Sequence, residues 1–123
     1  MKADVKEITI NGVEYVEKNS LNEKAIEIDG MKYVIVRTCS AGVFAGYLKE
    51  RSGQDVTLIK ARRIWRWYGA ASLSQLAMEG TSKPSECKFP CEVSSIVLTQ
   101  AIEIIPCTKK AQDSIASVAV WAE

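Results

Sequence analysis

Residues 25–59 read AIEIDGMKYVIVRTCSAGVFAGYLKERSGQDVTLI, and the fold turns on how this stretch divides. Segments 25–28 and 31–37 flank Asp29-Gly30. An Asp-Gly pair between short apolar-polar runs predicts a hairpin, because both turn residues must reach positive φ. Tyr33-Val34-Ile35-Val36 predicts a buried strand and Cys39-Ser40-Ala41-Gly42 a loop. Segment 43–50 is a further strand with Gly46 inside it, which predicts a bulge or the close approach of another backbone. Ser52-Gly53-Gln54 turns the chain into Val56-Thr57-Leu58-Ile59, the next strand. Together these predict a meander of short antiparallel strands.

Working outward, Ser72 as N-cap, Gln75 three residues on and Gly80 as a left-handed stop bracket a helix over 72–79. Segment 81–90 is polar and irregular, with Pro84 and Pro90, and 93–105 is strongly apolar and predicts one or two strands. Thr108 caps a second helix, 108–118, whose Cys107, Ala111, Ile115 and Val118 share one face. Val120-Trp121 closes the chain against the sheet. Upstream, Asn11-Gly12 between 5–10 and 13–16 predicts another hairpin, followed by a polar linker over 17–24. Residues 1–29 are acidic, with seven carboxylates against four lysines. The fold class is therefore α+β, an antiparallel sheet of short strands with two short helices. Residues 1–24 form an N-terminal hairpin arm, as an appendage or a dimer-forming element. Residues 25–123 form a single ligand-binding domain.

The composition sets limits on function. A chain of 123 residues, 47% hydrophobic with a formal net charge of +1, is one ordered domain. No apolar run approaches a membrane span and no signal-peptide core opens the chain, so a cytoplasmic protein is expected. There is no histidine. That removes imidazole acid–base chemistry, Ser-His-Asp and Cys-His nucleophiles and every His-bearing metal site. P-loop, dinucleotide and EF-hand motifs are absent as well, so no cofactor is expected and a binding protein is favoured over an enzyme. Of Cys39, Cys87, Cys91 and Cys107, only Cys87 and Cys91 are close, with three residues between them. A four-thiolate zinc site fits the count but not the usual paired spacing. The four read as buried free thiols, and no metal is expected.

One window stands apart. Between Lys49 and Arg66 lie six basic residues and two acids, so the near-neutral total hides a basic patch. Within it, Arg62-Arg63-Ile64-Trp65-Arg66-Trp67-Tyr68 mixes guanidiniums with aromatic rings. If extended, it sets Arg63, Trp65 and Trp67 on one face and Arg62, Ile64, Arg66 and Tyr68 on the other. Guanidiniums recognise phosphate by forked hydrogen bonds, and aromatic planes stack on bases. Gly69-Ala70-Ala71 leads to the capped helix start. These are the parts of a nucleotide site, although Trp65 and Trp67 also suit a core. Ala41-Gly42-Val43-Phe44-Ala45-Gly46-Tyr47 is either a ligand-covering loop or a tight hairpin, the hairpin being favoured.

These segments, with Gly80-Thr81-Ser82-Lys83-Pro84 and Ala101-Ile102-Glu103-Ile104-Ile105-Pro106, resemble the first Thoeris anti-defense family of small phage and prophage proteins. The resemblance covers residues 31–121. It implies a non-catalytic sponge in the host bacterial cell. Such a protein binds a glycocyclic ADP-ribose signal of the Thoeris defense and withholds it without cleavage. It further implies a homo-oligomer, dimer or hexamer, with cyclic trinucleotides as additional ligands at separate sites. On the residues themselves, Phe44, Trp65 or Trp67 would stack a base. Arg62, Arg63 or Arg66 would contact the pyrophosphate, with Ser72 and Ser74 in support. The competing expectations are a single-stranded nucleic-acid binder using the same patch, a signal-degrading enzyme using carboxylates, and an interaction module with the tryptophans in its core.

Overall fold

The computed structural model describes residues 23–123. The elements run β1 (Tyr33–Thr38), β2 (Val43–Ser52), β3 (Asp55–Arg63), α1 (Leu73–Glu79), a 3-10 turn (Pro84–Glu86), β4 (Glu92–Leu98), β5 (Ala101–Pro106) and α2 (Lys109–Ser117). The five strands form one antiparallel sheet, in the order β4-β3-β2-β1-β5. The predicted meander is thus β1-β2-β3, and 93–105 resolves into two strands at opposite edges. The expected N-terminal hairpin around Asn11-Gly12 lies outside the described residues. Of the 1–24 segment only Glu23 and Lys24 are described; Lys24 bridges Thr108, and the Glu23 carbonyl accepts from the Lys109 amide at 2.8 Å.

Local chemistry accounts for the boundaries. Asp29 (φ 51°) and Gly30 (φ 79°) make a turn in which Ile28 and Met31 exchange backbone hydrogen bonds. The Ser72 hydroxyl accepts from the Gln75 amide at 3.1 Å, while the Gln75 side chain reaches back to the Ala71 amide at 2.7 Å. Gly80 closes α1 at φ 76°, where an added Cβ would land on the Ser114 side chain of α2. The Thr108 hydroxyl caps α2 through the Ala111 amide and also donates to the Met78 carbonyl of α1, so one side chain starts one helix and ties it to the other. Segment 41–47 is a tight hairpin: the Thr38 amide and hydroxyl both donate to the Gly42 carbonyl.

The sheet has a core on each face. Tyr33, Ile35, Ala45 and Ile64 pack on the side that carries α1 and α2, with Leu76, Ala77, Phe89, Cys107, Ala111, Ile115 and Val118. On the opposite face Val34, Val36, Phe44, Val56, Leu58, Ala61, Leu98 and Ala101 form a second buried cluster. Among the described residues no helix covers that cluster; the sheet covers it by folding over. Leu98 pairs with Val56 near the β2–β3 turn, and Ala101 pairs with Thr38 near the β1–β2 turn. In a flat sheet those diagonal corners would lie about 30 Å apart. Thr99 and Gln100 are all that joins them, and three peptide steps span at most about 11 Å. The long β2–β3 hairpin must therefore bend across the inner face. It does so, and the Gln54 carbonyl at its tip accepts from the Ala101 amide at 3.0 Å.

The bend is made at irregularities in the β2–β3 ladder. Tyr47 pairs with Ile59 and Ala45 with Arg62, so Gly46 faces two residues, Lys60 and Ala61. This is a β-bulge, with Lys60 at φ 52°. A Cβ on Gly46 would stand 3.0 Å from the Ala61 Cα and 3.1 Å from the Ile59 carbonyl oxygen, both backbone atoms. Gly46→Ala is expected to destabilise the fold by about 1–3 kcal/mol, since backbone cannot move aside cheaply. A urea titration should show a lower midpoint with an unchanged slope.

Candidate functional site

The bulge decides which way the basic window points. Val56 and Leu58 face the inner cluster, and simple alternation would send Lys60 and Arg62 after them. The extra residue instead puts Ala61 inside and turns Arg62 to the helix side. Arg63 then falls on the inner side. Its guanidinium lies over the Phe44 ring at 4.4 Å and donates to the Ala41 carbonyl at 2.6 Å.

On the helix side a cleft of about 410 Å³ opens between the sheet and α2. Tyr33, Tyr47, Lys60, Arg62 and Glu92 supply its sheet wall, one or more from each of β1 to β4. Gln112, Ile115 and Ala116 of α2 face them, with Val118, Val120 and Ile28 closing the ends. The Tyr33 and Tyr47 rings meet edge to face at 5.0 Å, as their opposed register requires. Gln112 clamps the Ile26 backbone in both directions and donates to the Tyr47 hydroxyl at 3.1 Å, leaving the phenol's own proton to donate.

Arg62 is buried at the floor of this cleft. It donates to the carbonyls of Pro90 (3.0 Å), Ile115 (2.9 Å) and Phe89 (3.1 Å) and lies 5.4 Å from the Phe89 ring centroid. It therefore joins β3 to the β4 approach and to the C-terminal turn of α2, where a positive charge complements the helix dipole. Burial presses its pKa down, opposed by nearby Tyr33 and Glu92. Among the described residues no carboxylate pairs with Lys60 or Arg62; the ion pairs there are Arg37–Glu103 and Lys109–Asp113. Lys60 reaches the cleft from a left-handed backbone, a conformation that costs an L-residue about 1 kcal/mol.

Beside the cleft is an aromatic ledge. Trp65 (59% exposed) and Trp121 (40% exposed) lie nearly parallel, 12° apart with centroids 6.3 Å from each other. Lys88 sits 5.4 Å from the Trp121 ring, and the Arg66 and Lys88 backbones exchange hydrogen bonds. The Trp121 amide donates to the Phe89 carbonyl that Arg62 also uses. Trp121 thus packs on Trp65 and Lys88 rather than against the sheet.

The eight residues singled out from the sequence are dispersed. Arg62 lines the cleft; Trp65 and exposed Arg66 belong to the ledge. Phe44 is 2% exposed inside the fold, with Arg63 over its ring, so neither shares a surface with Arg62. Strand geometry ends at Arg63, so period two does not carry through to Trp67, which packs half-buried against the helix-side core. Ser72 is committed to capping α1, and Ser74 is exposed on that helix. Tyr33, Tyr47, Lys60, Glu92 and Gln112 are polar cleft residues outside those eight, although Tyr47 ends the segment 41–47 weighed as a ligand cover and Lys60 counts in the basic patch. The signal was Gly46 opposite the Lys60-Ala61-Arg62 stretch, since a bulge there redirects both cations.

The cysteines divide. Cys87 and Cys107 are buried, whereas Cys39 and Cys91 are exposed, which corrects the expectation of four buried thiols. Among the described residues no cluster of three Cys, Asp or Glu could hold a metal. Burial pushes the Cys107 thiol up to about 12 and holds the Tyr33 phenol above its ordinary value, with Cys107 and Tyr47 adding to the latter.

Two outcomes follow from these environments. Arg62→Met should cost about 2–3 kcal/mol, because it removes charge-assisted bonds to three carbonyls and leaves that of Pro90 unpaired. Denaturant unfolding measures it, and any affinity change in this variant must be read against that loss. Stability should also fall in alkali. Above the ordinary thiol value the unfolded chain ionises at Cys107 while the folded chain keeps its proton until about 12, so rising pH favours unfolding across that window. Tyr33 acts in the same direction from its own ordinary value upward. Cys107→Ala should flatten the decline in urea midpoint between pH 9 and about 11.

No helix among the described residues is long and apolar enough to cross a membrane. No curated protein and no solved structure matches the chain. Residues 31–115, more than two thirds of the sequence, match the family described as "Domain of unknown function (DUF6948)", and the chain belongs to that family.

Proposed function

We propose that this protein is a non-catalytic binder that sequesters a nucleotide second messenger, a glycocyclic ADP-ribose isomer, in the cleft between the sheet and α2. The observation that carries this reading is the cleft wall, where Lys60 and Arg62 stand with the Tyr33 and Tyr47 phenols. Its volume falls within the range of small-molecule sites, about 300–1,000 Å³. Two cations suit a pyrophosphate, and phenol and carboxamide groups suit ribose hydroxyls. Among the described residues Glu92 is the one carboxylate in the wall, whereas glycosidic cleavage ordinarily uses two. That, with the absence of histidine, supports retention over turnover. The Thoeris anti-defense resemblance supplies the setting: a phage protein acting as a homo-oligomer in the cytoplasm of the infected bacterium.

A second reading, single-stranded nucleic-acid binding, is favoured by the ledge, where Trp65 and Trp121 lie exposed beside Lys88 and Arg66. Stacking on such rings is tolerant of sequence and strongly salt-dependent.

The deciding experiment incubates purified protein with the 1″–2′ and 1″–3′ isomers, removes unbound ligand, heat-denatures the protein and identifies what is released. Intact ligand is the expected result. A processed product would make the protein an enzyme. Absence of retained ligand, together with a gel shift of short RNA or DNA at low salt that Trp65→Ala abolishes, would favour the second reading.

A further inference from the structure

The strained residue of the cleft is also its least committed cation. Among the described residues Asp29 and Lys60 alone combine a side chain with positive φ. Asp29 sits in a two-residue turn beside Gly30, where Asp is at home. Lys60 has no such excuse. It occupies the left-handed position of a bulge, where glycine would sit without strain. A lysine there contributes what glycine lacks, an exposed side chain ending in an ammonium, on a residue that lines the cleft.

Arg62 cannot fill that role well. Its Nε, Nη1 and Nη2 each donate to a backbone carbonyl, so it lends charge to the cleft but few free donors. Lys60 makes no side-chain hydrogen bond or ion pair among the described residues, and its ammonium has three donors to offer. Glu92, across the β3–β4 ladder, keeps the site from being simply cationic and favours a ligand with neutral hydroxyls beside its anionic part.

We propose that Lys60 is the phosphate-gripping residue of the cleft, and that the β2–β3 bulge holds it in a left-handed conformation to aim it there. The assignment rests on the proposed nucleotide-binding reading and names the group that selects phosphate-bearing ligands. Because the backbone at Lys60 suits glycine and tolerates asparagine, ligand binding separates from folding at this position.

The test titrates wild type, Lys60→Gly, Lys60→Asn and Lys60→Arg with the two glycocyclic ADP-ribose isomers, ADP and inorganic pyrophosphate at fixed ionic strength. Thermal midpoints of the Gly and Asn variants should stay within a few degrees of wild type. Affinity for every probe that wild type binds should fall about tenfold or more in both, while Lys60→Arg retains most of it. Affinity within about twofold of wild type in the Gly and Asn variants would overturn the role of Lys60 and leave the nucleotide reading intact. Loss of affinity only with collapse of the thermal midpoint in both would make Lys60 structural and also overturn it. Binding of ADP and pyrophosphate but of neither cyclic isomer, lost in both variants, would support Lys60 and overturn the sequestration reading. No binding of any probe by wild type would overturn both.

Discussion

The two-residue connection Thr99-Gln100 constrains the rest of the molecule. It joins strands at opposite edges and opposite ends of a five-stranded sheet, which only a folded-over sheet can satisfy. The consequence is a second core. Val34, Val36, Phe44, Val56 and Leu58 are buried on a face that an open sheet with helices on one side would leave wet. The apolar run of β1 is explained in the same way, since Tyr33 to Val36 is buried on both faces.

Folding a sheet across itself requires its long strands to bend, and bulges are where antiparallel strands bend most easily. The irregularity at Gly46 opposite Lys60 and Ala61 therefore serves the fold first. It serves the surface as well, because a bulge reverses the alternation of every residue beyond it. Arg62 and Ile64 go to the helices, Arg63 to the inner side, and Lys60 to the cleft. A single backbone device thus links the closure of the core to the charge of the candidate site.

Arg62 shows how folding and binding compete for one side chain. From the sequence it is a phosphate ligand among aromatics; in the fold it ties β3 to two other segments through three carbonyls. A buried guanidinium can bridge several carbonyls because its five donors lie in a fixed fork. The same commitment leaves Lys60 as the cleft cation whose donors are uncommitted among the described residues, a residue that the sequence marked only as one member of the basic patch.

What the sequence determined alone was everything that depends on near neighbours. The turns at Asp29-Gly30 and Gly53-Gln54, both helices with their caps, the buried face of α2 and the close approach at Gly46 were legible because each is specified within a few residues. The basic and aromatic character of the 60–68 window was legible too. Tertiary structure alone decided which of those residues share a surface. Sheet order depends on pairings between segments up to dozens of residues apart, and no local signal shows that β4 and β5 lie at opposite edges. The direction of each side chain past Ile59 depends on whether one residue is bulged, and an alternating pattern cannot be read through such a slip. For that reason the composition of a nucleotide-type site could be read from the sequence, whereas its position could be read only from the fold.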